Sequence, residues 1–195
     1  MVEVIRMEIK QIREVLEKEG KKGKVSDLPY WSDVFDLYVQ EENQHYKAMS
    51  VEDAAPLMIS RINLANRKHL TGCDELGVDI RVGDICYIDY GEAYLYEIAF
   101  QHFGLILKME NKKALVVPMS GNQQAYAQAY SKDHPNGKRH LMRFGKMEGM
   151  NKKSVLFLND VKWISTARII DVKAHLAKES AFFKEIKQRA MDCMK

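Results

Sequence analysis

His102 is the side chain in this sequence best placed for proton-transfer chemistry. It precedes an apolar run, and an imidazole gains and loses a proton near neutral pH. A histidine at that place also suits a structural role, half-buried at a strand end with a backbone partner. Ser120 follows a second apolar run and precedes Gly121, where a serine commonly caps a turn. The sequence alone is compatible with either a catalytic or a structural role for each of these two side chains.

A basic segment, residues 121–153, is the best candidate for contact with an anionic polymer. Seven basic side chains against two acidic ones give it a net charge of +5. Bases of single-stranded RNA stack on tyrosine rings, at about 1–3 kcal/mol for each base. The alternative is a solvated loop whose tyrosines pack on the fold. With one arginine upstream, the candidate RNA-binding residues are Arg81, Tyr126, Tyr130, Lys138, Arg139 and Arg143.

The charge of the chain is divided unevenly along its 195 residues. Residues 1–80 carry 11 basic and 15 acidic side chains, a net of −4, whereas residues 81–195 carry 19 basic and 12 acidic ones, a net of +7. A positive C-terminal part favours an anionic partner, of which nucleic acid is the commonest. A surface charged only for solubility is the alternative.

The cysteine and histidine patterns exclude several classes of site. Cys73, Cys86 and Cys193 are odd in number and far apart, so we expect reduced thiols, no metal site and no cofactor. The first twenty residues mix acidic and basic side chains, unlike a secretory signal, and no apolar run is long enough to span a membrane. We therefore expect a cytoplasmic protein.

Helical patterns dominate the first third of the chain. Apolar residues recur at helical spacing over residues 1–20, a second helix is predicted from Trp31, and Ser50 with Asp53 forms the pattern of a capping box for a third. Pro56 lies inside that third segment and is expected to delay or kink it. We predict a helical N-terminal extension over residues 1–76.

The pattern changes after Gly77 to short apolar segments separated by turns. Strands are predicted at 85–90, 104–107, 114–117, 139–144 and 154–158, with a closing helix from Val172 onward and Trp163 in the core. Short strands at this spacing are typical of a small β-barrel, which removes exposed edges by closing. The expected fold class is α+β, with a barrel domain over residues 77–195.

These segments resemble the PemK/MazF family of bacterial toxins, with the ToxN group as a more distant relative. The resemblance rests on the Gly83-Asp84-Ile85 opening, on the runs FGLIL and LVVPMS, and on the run SVLFLNDVKWISTARI from Ser154 to Ile169. It implies an SH3-like barrel of the PemK/MazF/CcdB type that forms a homodimer. It also implies a sequence-selective endoribonuclease that cleaves single-stranded RNA without metal and is inhibited by an antitoxin protein.

The resemblance also implies where catalysis takes place. In the family an Arg-Pro pair opens the second strand, and a Thr or Ser follows the proline of the third. Here Gln101-His102-Phe103 stands in place of Arg-Pro, which makes His102 the substitute catalytic residue, and Pro118-Met119-Ser120 retains the hydroxyl. Two alternatives stay open: a non-catalytic barrel that binds nucleic acid or a protein target, and a purely structural protein whose helices bind the partner.

Overall fold

The computed structural model describes residues 24–27 and 31–193, and its contacts divide the chain into two compact units, 1–54 and 55–195. In the first unit, a 3-10 turn spans Val25–Asp27 and helix α1 spans Trp31–Ala48. Helix α1 confirms the helix predicted from Trp31. The helix predicted over residues 1–20 lies outside the described residues. The predicted domain boundary at 76/77 stays a prediction.

Helix α2, Val51–Arg67, begins at the capping box that the sequence predicted. The Ser50 hydroxyl accepts the Asp53 amide proton at 3.1 Å and donates to the Asp53 carboxylate at 2.6 Å. This arrangement pairs one of the amide groups that every helix N-terminus leaves unsatisfied. Pro56 lies inside the helix and does not delay its start.

The second unit is built on eight strands in one mixed sheet. One helix follows the third strand and another follows the last strand. β2 and β3 form a hairpin whose two turn residues, Asn111 and Lys112, have positive φ angles of 48° and 60°, as in a type I′ turn. The strands are β1 Asp84–Asp89, β2 Gln101–Glu110, β3 Lys113–Ser120, β4 Ala129–Tyr130, β5 Lys138–Gly145, β6 Ser154–Phe157, β7 Lys162–Ser165 and β8 Ile169–His175; the helices are α3 Gln123–Gln128 and α4 Ala181–Cys193.

The sheet is open, so the expected closure into a barrel is not observed. Its hydrogen-bonded order is β4-β5-β6-β3-β2-β1-β8, and β7 pairs with the first half of β3. The edge strand β4 is two residues long and runs parallel to β5. Helix α4 fills the space that strand pairing would close, because its buried side chains share a core cluster with strands β1, β2, β3, β5 and β6.

The two faces of the central strands have different cores. One face carries the cluster of Ile85, Leu105 and Val117, which α4 covers. The opposite face carries Cys86, Ile106 and other buried side chains in a second cluster. This division follows from the alternation of side chains along each strand.

Two predictions near the C-terminus are wrong. The closing helix was expected from Val172, but residues 169–175 form β8, paired with β1, and α4 begins at Ala181. The segment alternates β-branched residues with Asp171 and Lys173, a period of two that favours a strand. Trp163 was expected in the core, and its side chain is 45% exposed at the end of the sheet.

Candidate active site

The backbone pairing aligns one row of side chains across the sheet. His102 pairs with Ile88 of β1, and one residue beyond the Phe103–Met119 pair it stands opposite Ser120 of β3. Ser120 pairs with Val155 of β6, which in turn pairs with Arg143 of β5. Residues opposite each other in neighbouring strands point to the same face. The pairing therefore brings His102, Ser120 and Arg143 to one face of the sheet.

The spacing of the row is that of neighbouring strands. Paired strands lie about 4.8 Å apart, so His102 and Ser120 are neighbours and Arg143 is about 10 Å beyond Ser120. All three side chains are partly exposed.

The ring of His102 is held by one backbone hydrogen bond. Its Nδ1 lies 2.8 Å from the carbonyl oxygen of Ala99, which can only accept, so Nδ1 donates. A neutral ring in that tautomer has Nε2 as a hydrogen-bond and proton acceptor. The contact fulfils the structural role expected of a strand-end histidine, and it also fixes the orientation of the ring.

Ser120 forms the turn contact that its sequence position suggested. Its hydroxyl oxygen accepts the Asn122 amide proton at 3.3 Å. A hydroxyl that accepts one hydrogen bond still has its own proton to donate. The adjacent Gly121 lies beside Lys152, because a Cβ on the glycine would be 3.1 Å from the lysine side chain.

Arg143 is held in place by the short helix α3. Its Nε donates to the Tyr126 carbonyl oxygen at 3.0 Å, and its Nη2 donates to that of Ala127 at 3.0 Å. The guanidinium carbon also lies 5.2 Å from the centre of the Tyr126 ring. The arginine therefore caps α3 and positions the tyrosine, and a planar guanidinium still has further donors for a ligand.

The other candidate RNA-binding residues are more dispersed. Lys138 and Arg139 are exposed at the start of β5, where Arg139 has the same strand parity as Arg143. The guanidinium carbon of Arg189 lies 3.5 Å from the centre of the Tyr130 ring and so covers it. That contact occupies one face of the ring on which a base was expected to stack.

Arg81 is separated from His102 by the length of β1. Its amide donates to Asp84, which is 4% exposed and accepts from Nδ1 of His175 at 2.7 Å. Asp84 and His175 are paired residues of β1 and β8. Asp84 precedes Ile88 by four residues, about 13 Å along a strand. The structure therefore does not bring Arg81 to the row.

A buried polar cluster that the sequence did not suggest lies where the family's arginine was expected. Gln101 donates to the Ser60 hydroxyl at 2.6 Å, and that hydroxyl donates to the Asp89 carboxylate at 2.6 Å. Asn63 and the Gly91 amide also donate to Asp89, at 2.6 and 3.0 Å. Gln101 thus fastens α2 to the sheet. In the sequence, the cluster is indicated only by the uncharged amide of Gln101 and by two polar residues, Ser60 and Asn63, spaced three apart on a predicted helix.

Two further observations concern the described residues, 24–27 and 31–193. Within these ranges no three His, Cys, Asp or Glu side chains are grouped as they would need to be to hold a metal ion. No helix in this part of the chain is long and apolar enough to cross a membrane.

The fold has counterparts among solved structures. The MazF-mt6 toxin of Mycobacterium tuberculosis superposes with a TM-score of 0.40 and 12% sequence identity, over 57% of this chain and 95% of the toxin. The chain is structurally similar to MazF toxins. An endoribonuclease from a mycobacterial species, solved with its cognate antitoxin, superposes with a TM-score of 0.41 and 8% identity, over 60% of this chain and 95% of that one.

The similarity does not extend to the sequence level. No protein-family model and no curated protein sequence matches this chain. With identities of 12% and 8% and TM-scores below 0.5, the structural matches do not carry an activity over to it. They also leave about two fifths of the chain without a counterpart, since the better coverage is 60%.

Proposed function

We propose that this protein is a metal-independent, sequence-selective endoribonuclease of a toxin–antitoxin system that cleaves single-stranded RNA. The observation that carries the proposal is the alignment of His102, Ser120 and Arg143 on one face of the sheet. These three groups supply a proton acceptor, a hydroxyl donor and a cation. The net charge of +7 over residues 81–195 favours an RNA strand as the ligand.

The proposed reaction uses the ribose 2′-hydroxyl as the internal nucleophile. His102 Nε2 takes the 2′-hydroxyl proton, the 2′-oxygen bonds to phosphorus, and the bond from phosphorus to the 5′-oxygen breaks. The departing 5′-oxygen takes a proton from water. Ser120 donates to a phosphate oxygen, and Arg143 offsets the charge that accumulates on the phosphate. The products are a 2′,3′-cyclic phosphate and a 5′-hydroxyl.

The remaining parts of the proposal follow the family resemblance of the sequence. The chain acts in the cytoplasm as a homodimer and is inhibited by an antitoxin protein. Its open sheet corresponds to an SH3-like barrel of the PemK/MazF/CcdB type that lacks the closing pair between β4 and β8. Residues 1–76 form an extension that modifies dimerisation or antitoxin contact, and residues 77–195 form the catalytic domain.

A second candidate function is supported by the same contacts. His102 Nδ1 and two nitrogens of Arg143 already bond backbone carbonyl oxygens, and Gln101 replaces the arginine that the family resemblance expects. These features favour a non-catalytic protein that binds nucleic acid or a protein target on the same face.

Cleavage of RNA by purified protein in EDTA distinguishes the two functions. We expect fragments that end in a 2′,3′-cyclic phosphate, and we expect His102→Ala to lower the cleavage rate by about 10²–10⁴-fold, the usual contribution of a general base. His69→Ala is the matched control, because His69 is exposed and lies outside the row. It should cleave at the unchanged rate.

Two results would decide against the enzyme. Salt-sensitive RNA binding without cleavage by the wild-type protein would select the binding function. Cleavage that is equally fast in His102→Ala and in the control would remove His102 from the mechanism. Purity is checked by showing that the activity co-elutes with the protein and that its specific activity is the same in independent preparations.

A further inference from the structure

A cavity of about 450 Å³ lies between α2 and the ends of strands β1 and β7. Its lining comes entirely from the second compact unit, residues 55–195. This volume falls within the range of small-molecule sites in proteins, about 300–1,000 Å³. His102, Ser120 and Arg143 do not line it, so the cavity is separate from the candidate active site.

One end of the cavity holds two arginines that are fixed by the backbone. Arg67 Nη1 donates to the carbonyl oxygens of Ala167 and Ile169, at 3.3 and 2.9 Å. Arg168 Nη1 donates to those of Asp89 and Tyr90, at 3.1 and 2.9 Å. Each guanidinium therefore uses one nitrogen for anchoring, which leaves its other donors for a ligand.

Two more donors line the same end. Lys68 is exposed, and its side-chain ammonium has no ion-pair or hydrogen-bond partner among the described residues. The Ser165 hydroxyl accepts the Ala167 amide proton at 3.3 Å, so its own proton can be donated. Asp89 and Glu92 also line the cavity, and Glu92 is paired with Arg61 at 3.3 Å. Asp89 and the roughly half negative charge at the C-terminus of α2 oppose the three cations, which still leave a positive excess.

The other end of the cavity presents hydrogen-bonding groups of a different kind. Asn63 uses its amide nitrogen on Asp89, which leaves its side-chain oxygen as an acceptor and one amide proton as a donor. The apolar side chains of Leu57 and Leu64 and the ring of Tyr90 also line the cavity. Asn63 and Arg67 are four residues apart on α2, so the two groups lie about 6 Å apart along the helix.

We propose that this cavity binds a nucleoside 5′-monophosphate, with the phosphate between Arg67, Arg168 and Lys68 and the base against Leu57, Leu64 and Asn63. A terminal phosphate carries close to two negative charges at neutral pH, whereas a phosphodiester carries one. The three cations therefore favour a free mononucleotide over an internal unit of RNA. The site is independent of the proposed cleavage, because it uses none of the same side chains.

Calorimetric titration of the full chain with AMP, GMP, CMP and UMP tests the site. At least one nucleotide should bind with a stoichiometry of one per chain, while its nucleoside should bind at least tenfold more weakly because the phosphate contacts are lost. Inorganic phosphate should compete with it. An RNA oligonucleotide with hydroxyl groups at both ends should not displace it.

Three variants connect binding to the cavity. Lys68→Ala should weaken binding about tenfold by removing one cation. Leu64→Trp should abolish it by filling the space, and the fold tolerates the larger ring because Leu64 is 59% exposed. Lys178→Ala is the control, since Lys178 is an exposed lysine outside the cavity.

The proposal is wrong if no mononucleotide binds at millimolar concentration, or if all three variants bind alike. Displacement by the oligonucleotide would assign the cavity to the RNA chain and would also overturn it. Circular dichroism of each variant confirms that binding is lost from folded protein. The RNA cleavage assay is run on the same variants and should be unchanged, so that failure of one proposal is distinguishable from failure of the other.

Discussion

Replacing Ser60 by alanine tests whether the buried polar cluster holds α2 on the sheet. The Ser60 hydroxyl is 4% exposed and takes part in two hydrogen bonds, one to the Asp89 carboxylate and one from Gln101, both at 2.6 Å. Alanine removes both bonds and leaves a small space. The same substitution at Ser131 is a matched control, because that hydroxyl is buried and has no hydrogen-bond partner within the part of the chain that the structure describes.

The size of the effect follows from the two bonds. A hydrogen bond to a charged group contributes about 1.5–3 kcal/mol and a neutral one about 1 kcal/mol. Asp89 keeps the Gly91 and Asn63 donors, and Gln101 keeps the Pro56 carbonyl oxygen at 3.3 Å, so neither group is left unpaired. The loss should therefore be about 2.5–4 kcal/mol. For a unit of this size, at about 4 °C for each kcal/mol, that lowers the melting temperature by about 10–16 °C.

Urea unfolding followed by circular dichroism measures the free energies, and calorimetry measures the melting temperatures. We expect Ser131→Ala to stay within about 0.5 kcal/mol of the wild type or to be more stable, because it removes a buried polar atom without a partner. A loss below about 1 kcal/mol in Ser60→Ala, or an equal loss in both variants, would refute the view that the cluster fastens α2. An unchanged m-value is required for the comparison.

The remaining predictions concern the core. Gly104→Ala should destabilise the protein by about 1–3 kcal/mol in the same urea assay, because its Cβ would lie 2.3 Å from the Tyr90 hydroxyl, whereas Gly121→Ala meets only a flexible lysine and should cost less. At pH 8, a thiol reagent should label Cys193 fast and the buried Cys73 and Cys86 only after unfolding, and fast labelling that persists in Cys193→Ser would contradict the burial. Burial raises the pKa of Cys86 to about 12, while an unfolded thiol ionises near pH 8.5. Above pH 9 the unfolded chain therefore binds fewer protons than the folded one, and stability should fall as the pH rises toward 12, less so in Cys86→Ala.

The sequence predicts helices and strands correctly where the spacing of apolar residues has one clear period. The capping box at Ser50 and the apolar strands after Gly83 follow from local chemistry, and the structure confirms them. The helix prediction for residues 169–175 is wrong because apolar residues recur both in strand β8 and in helix α4, and the prediction treats the two elements as one helix. Closure of the sheet was misjudged for another reason. Whether a strand or a helix covers the last side of a core depends on contacts between distant residues.

The candidate site shows the same division. His102 and Ser120 lie on different strands, and nothing in the local sequence indicates that they stand opposite each other. That relation depends on the register of the hairpin, which the two-residue turn at Asn111 and Lys112 fixes. The capping of α3 by Arg143 and the covering of Tyr130 by Arg189 depend on neighbours that are distant in sequence, so they were not predictable from composition.

Gln101 stands where the resemblance predicts an arginine, and its side chain contacts helix α2. Its amide donates both to the Ser60 hydroxyl and to the Pro56 carbonyl oxygen, and it makes these two contacts without bringing a charge beneath α2. An arginine there would bring a charge to a position filled by α2, at a substantial desolvation cost unless it paired with Asp89. The uncharged amide of Gln101 is therefore compatible with the packing of α2 on β1 and β2. The proposed catalysis therefore involves the next residue, His102, whose side chain points to the other face of the strand.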